Sequence, residues 1–179
     1  MTGTRTTEKW LILAAVVGGL FLGAVDGSIV NVALPTLIDE FNTDFATIQW
    51  VILGFLLGLT TLMLSVGRLA DMIGKKKIFS WGLALFTLAS ALCGLSPNVW
   101  MLIIFRLVQA VGADMIIALG VAIVTEVWPP QERGRAIGIT GGSIALGIVV
   151  GPTLGGILIS TLGWRSIFYF NIPFGLLSL

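Results

Sequence analysis

Six stretches of this chain stay apolar long enough to matter to a lipid bilayer. A helix rises about 1.5 Å per residue, so a hydrocarbon core of about 30 Å takes roughly 20 apolar residues. By that ruler 10–32, 48–66, 78–95, 99–127 and 136–162 each cross a membrane. A last run, 166–179, supplies about 21 Å of helix and stops short. Backbone crossing lipid must satisfy its own polar groups, which at these lengths means helices. The expected fold is therefore an all-α membrane protein of five full helices and an incomplete sixth, one bundle over 1–179. Nothing after Trp10 reads as a cleavage site, and the first run is too long for a signal peptide, so an uncleaved first helix is expected.

Composition excludes the soluble alternatives. The chain is 56% hydrophobic and 11% charged, with mean hydropathy +1.04, and 179 residues cannot bury that much apolar surface in water. A net charge of +1 argues against a nucleic-acid partner. One cysteine, Cys93, leaves no disulfide framework, and the lack of histidine removes imidazole chemistry and His-ligated zinc. No metal or cofactor is expected. The expected partners are membrane lipid and a small molecule.

Eight of the ten basic residues fall on one side of the predicted spans: Arg5, Lys9, Arg68, Lys75, Lys76, Lys77, Arg133 and Arg135. The other side carries Asp39, Glu40, Asp44 and Arg165. The positive-inside rule then predicts a cytoplasmic amino terminus in a plasma or inner membrane. No basic flank closes the sixth run, so the sequence reads as cut there.

Three ionisable residues lie deep in apolar runs: Asp26 in the first, Arg106 and Asp114 in the fourth. Such charges are costly in lipid and need a partner, protein or water. Counting rise from each boundary, Asp26 and Arg106 reach similar depth in the outer half of the membrane, within an arginine's reach of each other. A plain structural ion pair is one reading; a proton-linked or substrate-linked pair is preferred, because intramembrane charges are functional by default. Asp114 lies further inward, facing a cavity or an inner vestibule.

Two glycine patterns stand out. Gly67-Arg68-Leu-Ala-Asp71-Met-Ile-Gly74-Lys75 makes a tight turn with one acid among bases between the second and third spans. In the fifth span Gly147, Gly151 and Gly155 form one smooth ridge with Pro152 and Gly156 embedded beside it, a close-packing face that flexes or seals.

Together these motifs resemble the amino-terminal half of a major facilitator superfamily transporter, specifically the drug:proton antiporters with fourteen helices (the EmrB/QacA subfamily). Gly67 to Lys77 is similar to the superfamily's loop signature, and Asp26 with Val30 to Pro35 to the subfamily's first-helix motif. Arg106, Gln109 and Gly112 match the fourth-helix motif R-x-x-Q-G-x-G, with Ala110 in place of its first glycine. Gly147 to Gly156 resembles the antiporter motif, and Trp164 to Gly175 the subfamily's sixth-helix pattern.

The resemblance implies export of hydrophobic or cationic compounds in exchange for protons, by alternating access, with no cofactor beyond a proton gradient. It implies that Asp26 and Arg106 couple to protons, with Asp114 near them. It also implies that Asp71 latches onto a second half, and that Glu126 and Arg133 join Arg68 and Lys75 in a charge network. That second half is the expected missing partner. The alternatives are a non-transporting membrane fragment or scaffold, and a symporter or uniporter of the same superfamily. An intramembrane aspartyl protease fits poorly, since Asp26 follows Val25 and Asp114 follows Ala113, which departs from the Y-D and G-x-G-D pattern. The chain is not expected to be an enzyme.

Overall fold

In a computed structural model, residues 6–178 are described; Arg5 of the basic flank and the terminal Leu179 lie outside them. The elements are α1 (Thr6–Phe41), α2 (Phe45–Ile73), α3 (Lys75–Gly94), α4 (Val99–Val127), α5 (Arg133–Leu162), α6 (Ser166–Tyr169) and α7 (Asn171–Ser178). Helices α1 to α5 are long and apolar enough to cross a membrane. Several overrun the spans expected from hydropathy: α1 extends past both edges of 10–32, and α2 past both edges of 48–66. Hydropathy marks what lies in hydrocarbon, whereas helical hydrogen bonding continues until a residue stops it.

The stops are visible. Gly74 ends α2 at φ +109°, a conformation that side chains resist, and its N–H donates to the Ala70 carbonyl at 2.8 Å. Gly163 ends α5 at φ +82°. Asp44 and Asn98 cap α2 and α4, accepting from the amides of Thr47 and Met101 at 2.6 and 2.9 Å. Hydrogen bonds from Thr47, the side chain first and then the backbone, hold the Asp44 carboxyl below its ordinary value. The sixth run, expected as one helix, divides at Phe170 into α6 and α7. Pro173 accounts for this, since it has no N–H for the Tyr169 carbonyl and its ring crowds that oxygen.

Packing follows the small residues. At the α3–α4 crossing, a Cβ on Gly112 would come 2.6 Å from the Phe86 backbone nitrogen, and one on Gly82 would come 2.5 Å from Met115 Cβ. Opposite Ala110, which replaces the motif glycine, stands Gly58 of α2; a Cβ there would lie 2.6 Å from Ala110 Cβ. The crossing has room for only one methyl group, and the alanine fills it. The buried apolar side chains form two clusters. One holds Leu13 to Leu22 of α1 with Ala110 to Val124 of α4; the other holds Val25 to Leu37 of α1 with Val99 to Ile103 of α4. Between them lies a thin polar layer.

Candidate functional site

The polar layer contains Asp26 of α1, Ser90 of α3, Arg106 and Gln109 of α4, and Asn171 of α7, each at most 1% exposed. Arg106 Nη1 donates to Asp26 Oδ2 at 2.6 Å and to Gln109 Oε1 at 2.6 Å. Gln109, one turn on, donates through Nε2 to Asp26 Oδ1 at 3.0 Å and to Ser90 Oγ at 2.6 Å. Asn171 Nδ2 donates to the same two acceptors, at 2.7 and 3.2 Å. Arg106 Nε reaches the Val51 carbonyl at 3.3 Å, and the guanidinium lies over the Phe55 ring at 4.0 Å. Charge-assisted bonds and cation–π contact offset the loss of water for both ions. Breaking such a pair from one side typically costs about 3–5 kcal/mol, because the other charge stays buried.

Depth counting pairs Asp26 with Arg106, and the structure brings them together. Ser90 and Asn171 are the members that sequence reasoning did not single out as site residues. Ser90 is an uncharged polar residue in an apolar run, as Thr87 beside it is, and Asn171 falls within the sixth-helix pattern; neither carries the charge that marked Asp26. Asp114 stays apart: it lies about 12 Å along α4 from Arg106, is 2% exposed, and its Oδ2 has no hydrogen-bond partner among the described residues.

On the other side of Phe55 opens an apolar cleft of about 390 Å³ between α1, α2, α4 and α5. Gly27, Ser28, Asn31, Phe55, Ile117 and Ile148 line it. One ring therefore forms the cleft wall and also carries the arginine.

The glycine ridge of α5 lies against α1 of this same bundle. A Cβ on Gly147 would meet Ala24 Cβ and the Phe21 carbonyl at 2.8 Å, one on Gly151 would strike Ser28 Oγ, and one on Gly155 would come 2.7 Å from Ile29 Cγ1. A Cβ on Gly156 would meet nothing within 4 Å among the described residues, and α5 continues through Pro152.

At the basic end the charges pair by proximity. Lys75 Nζ lies 3.2 Å from Glu126 Oε2, so Glu126 meets Lys75 and not Arg68. Gly74 is the whole α2–α3 connection, and it starts α3 with Lys75 beside the end of α4. Arg133 Nε donates to the Trp128 carbonyl at 3.0 Å, closing the α4–α5 turn, while Lys9 pairs with Glu132 at 2.7 Å. Arg68, Asp71 and Gly74 are exposed, and Asp71 makes no ion pair among the described residues. Asp71, Gly74, Lys75 and Glu126 line a cleft of about 590 Å³.

A sequence model described as the Major Facilitator Superfamily matches residues 16–179. The Riboflavin transporter RibZ of Clostridioides difficile is 41% identical over 171 residues, covering 96% of this chain and 38% of that protein. Multidrug resistance protein Stp of Mycobacterium tuberculosis is 41% identical over 170 residues, covering 94% and 32%. The chain thus spans about a third of the length of these relatives. Two solved structures share the fold at TM-score 0.84 over 98% of this chain and 44% of theirs. They are a bacterial homolog of the human lysosomal transporter Spinster, inward-facing and occupied, at 22% identity, and the proton:xylose symporter XylE at 15%.

Proposed function

The chain belongs to the Major Facilitator Superfamily, and on that premise we propose that it forms the amino-terminal half of a proton-driven exporter of hydrophobic or cationic compounds. The observation that carries this reading is the Asp26–Arg106 pair, 2.6 Å apart and almost fully buried. A buried carboxylate held by one guanidinium has two stable conditions: ionised against the arginine, or neutral with the arginine released to other partners. Alternating access exposes that carboxylate to one side of the membrane and then the other, so each cycle carries a proton. The cleft across Phe55 supplies the link to cargo. Its lining is apolar apart from Ser28 and Asn31, which suits a hydrophobic compound, and Phe55 offers its face to an aromatic or cationic one.

In this reading the basic end faces the cytoplasm of a plasma or inner membrane, as the distribution of lysine and arginine supports. Asp71, exposed and without an ion partner among the described residues, is the group that grips the second half from that side. A helix amino terminus there would hold it through its dipole. The named relatives include both a riboflavin transporter and a multidrug resistance protein at equal identity. Cargo is therefore assigned by the chemistry of the cleft.

The test is Asp26→Asn in a transporter containing both halves, assayed in vesicles with an imposed pH gradient. Gradient-driven export should disappear while binding of an apolar cationic dye persists. Export that still follows the pH gradient refutes the proposal.

A further inference from the structure

Asn171 has one end that the polar layer does not use. Its Nδ2 serves Asp26 Oδ1 and Ser90 Oγ, yet its Oδ1 is buried with no partner among the described residues. A bare acceptor away from water is costly, and buried amides ordinarily use both ends. Gln109 Oε1 accepts from Arg106, and Ser90 Oγ accepts from both Gln109 and Asn171.

This becomes consequential when Asp26 takes a proton. Oδ2 faces the guanidinium at 2.6 Å, so the proton goes to Oδ1. Oδ1 faces two donors, Gln109 Nε2 and Asn171 Nδ2, and neither can accept from the new O–H. Gln109 cannot turn without taking its Oε1 from Arg106. Asn171 can. A half-turn of its amide exchanges two groups of nearly equal size and presents Oδ1 to Asp26, where it accepts the acid's O–H and that of Ser90 as well, while Nδ2 takes the unpartnered place that Oδ1 leaves. No atom need move far, since a Cβ on Gly175 would already strike Thr87 Oγ1 and α7 is thereby held close to α3.

We propose that Asn171 is the proton-sensing residue of this bundle, donating to Asp26 when it is ionised and turning to accept from it when it is protonated. The proposal rests on Asp26 being the proton-exchanging group, and it adds the neutral residue that reports the exchange to α7. Arg106 is the charged group that faces Asp26. Segments 45–67, 78–105 and 136–164 contain no Asp, Glu, Lys or Arg, so α2, α3 and α5 bring no charge to this level. On the remaining sides, Asp114 stands two turns away on α4, Tyr169 of α6 packs over Gly94, and Cys93 of α3 reaches the layer only through Gln109 Oε1 at 3.7 Å.

The experiment is pH-difference infrared spectroscopy of the full chain in lipid, with asparagine side-chain carbonyls carrying carbon-13. A protonated-carboxyl band that vanishes in Asp26→Asn is expected, with a labelled amide band shifting at the same midpoint. That amide band should be lost in Asn171→Leu. If Asn171→Leu fails to fold, the triple variant Asn31→Gln, Asn42→Gly, Asn98→Ser leaves Asn171 as the one labelled amide and makes the same assignment. A carboxyl band from Asp26 with a stationary Asn171 amide overturns the switch and leaves the proton reading standing. If Asp26 shows no carboxyl band at any pH at which the protein stays folded, both fall.

Discussion

Leucine at Gly151 tests the α1–α5 crossing directly. A Cβ there falls on Ser28 Oγ and comes 3.1 Å from both Ser28 Cβ and the Val25 carbonyl oxygen. Even alanine forces Ser28 to rotate, giving up its bonds to the Val25 and Gly147 carbonyls at 3.1 and 3.3 Å. At a net ~0.5–1.5 kcal/mol for each bond, the cost is about 1–3 kcal/mol. The rest of the leucine side chain must then wedge two backbones apart, and overpacking of this kind adds about 1–3 kcal/mol. Gly156, where a Cβ would meet nothing within 4 Å among the described residues, is the control: leucine there should shift stability by less than about 0.5 kcal/mol. The assay compares thermal unfolding midpoints and the monodisperse fraction in detergent, then transport per folded molecule in a protein with both halves. Gly151→Leu should unfold well below Gly156→Leu. Equal midpoints would refute the close crossing. Normal transport per folded molecule in Gly151→Leu would reduce the ridge to ordinary packing and remove a main support of the antiporter reading.

Other measurements bear on the buried charges and the caps. Arg106→Met should cost about 3–5 kcal/mol by stranding the Asp26 carboxylate, and adding Asp26→Asn should recover much of it; strictly additive losses in thermal unfolding would argue against the pair. Asp114→Leu removes no hydrogen bond to Oδ2, so the unfolding midpoint should hold or rise; a loss beyond about 1.5 kcal/mol would reveal a partner. The Asp44 carboxyl is held below its usual value when folded, so its contribution is present above the unfolded value of about 3.9 and is lost as pH falls through the lower folded one. Asp44→Ala should therefore lose stability at neutral pH and show a flatter decline on acidification; identical acid limbs would contradict the cap.

How far the molecule is legible from its sequence depends on range. Apolar runs locate the crossings because lipid imposes a length, and rise per residue puts Asp26 level with Arg106 because both sit on regular helices. Helix ends are less legible, since α1 and α2 continue into polar sequence until an Asn42 or a Gly74 stops them. Pro173 held the cue for the division at Phe170, but the apolar count passed over it. Asn171 meets Asp26 from 145 residues away and Ser90 from 81, and the pattern of one helix does not specify which neighbour its polar residue will face. The same limit applies to the α5 ridge. Periodicity gives a smooth face at Gly147, Gly151 and Gly155, while only the assembled bundle directs it towards α1.

The single-residue joint at Gly74 also has a mechanical consequence. One residue spans at most about 3.6 Å, so the ends of α2 and α3 cannot draw apart. Axial displacement of α2 is therefore handed to α3 with almost no slack. Helix α3 is in turn keyed to α4 where Gly82 and Gly112 let the backbones touch, and a sliding step there would drive Met115 into α3. A pull on the exposed turn at Asp71 thus acts as a pull on a stiff linkage whose far member carries Arg106. The three helices are joined in series, from the exposed turn at Asp71 to the helix that carries the arginine of the ion pair.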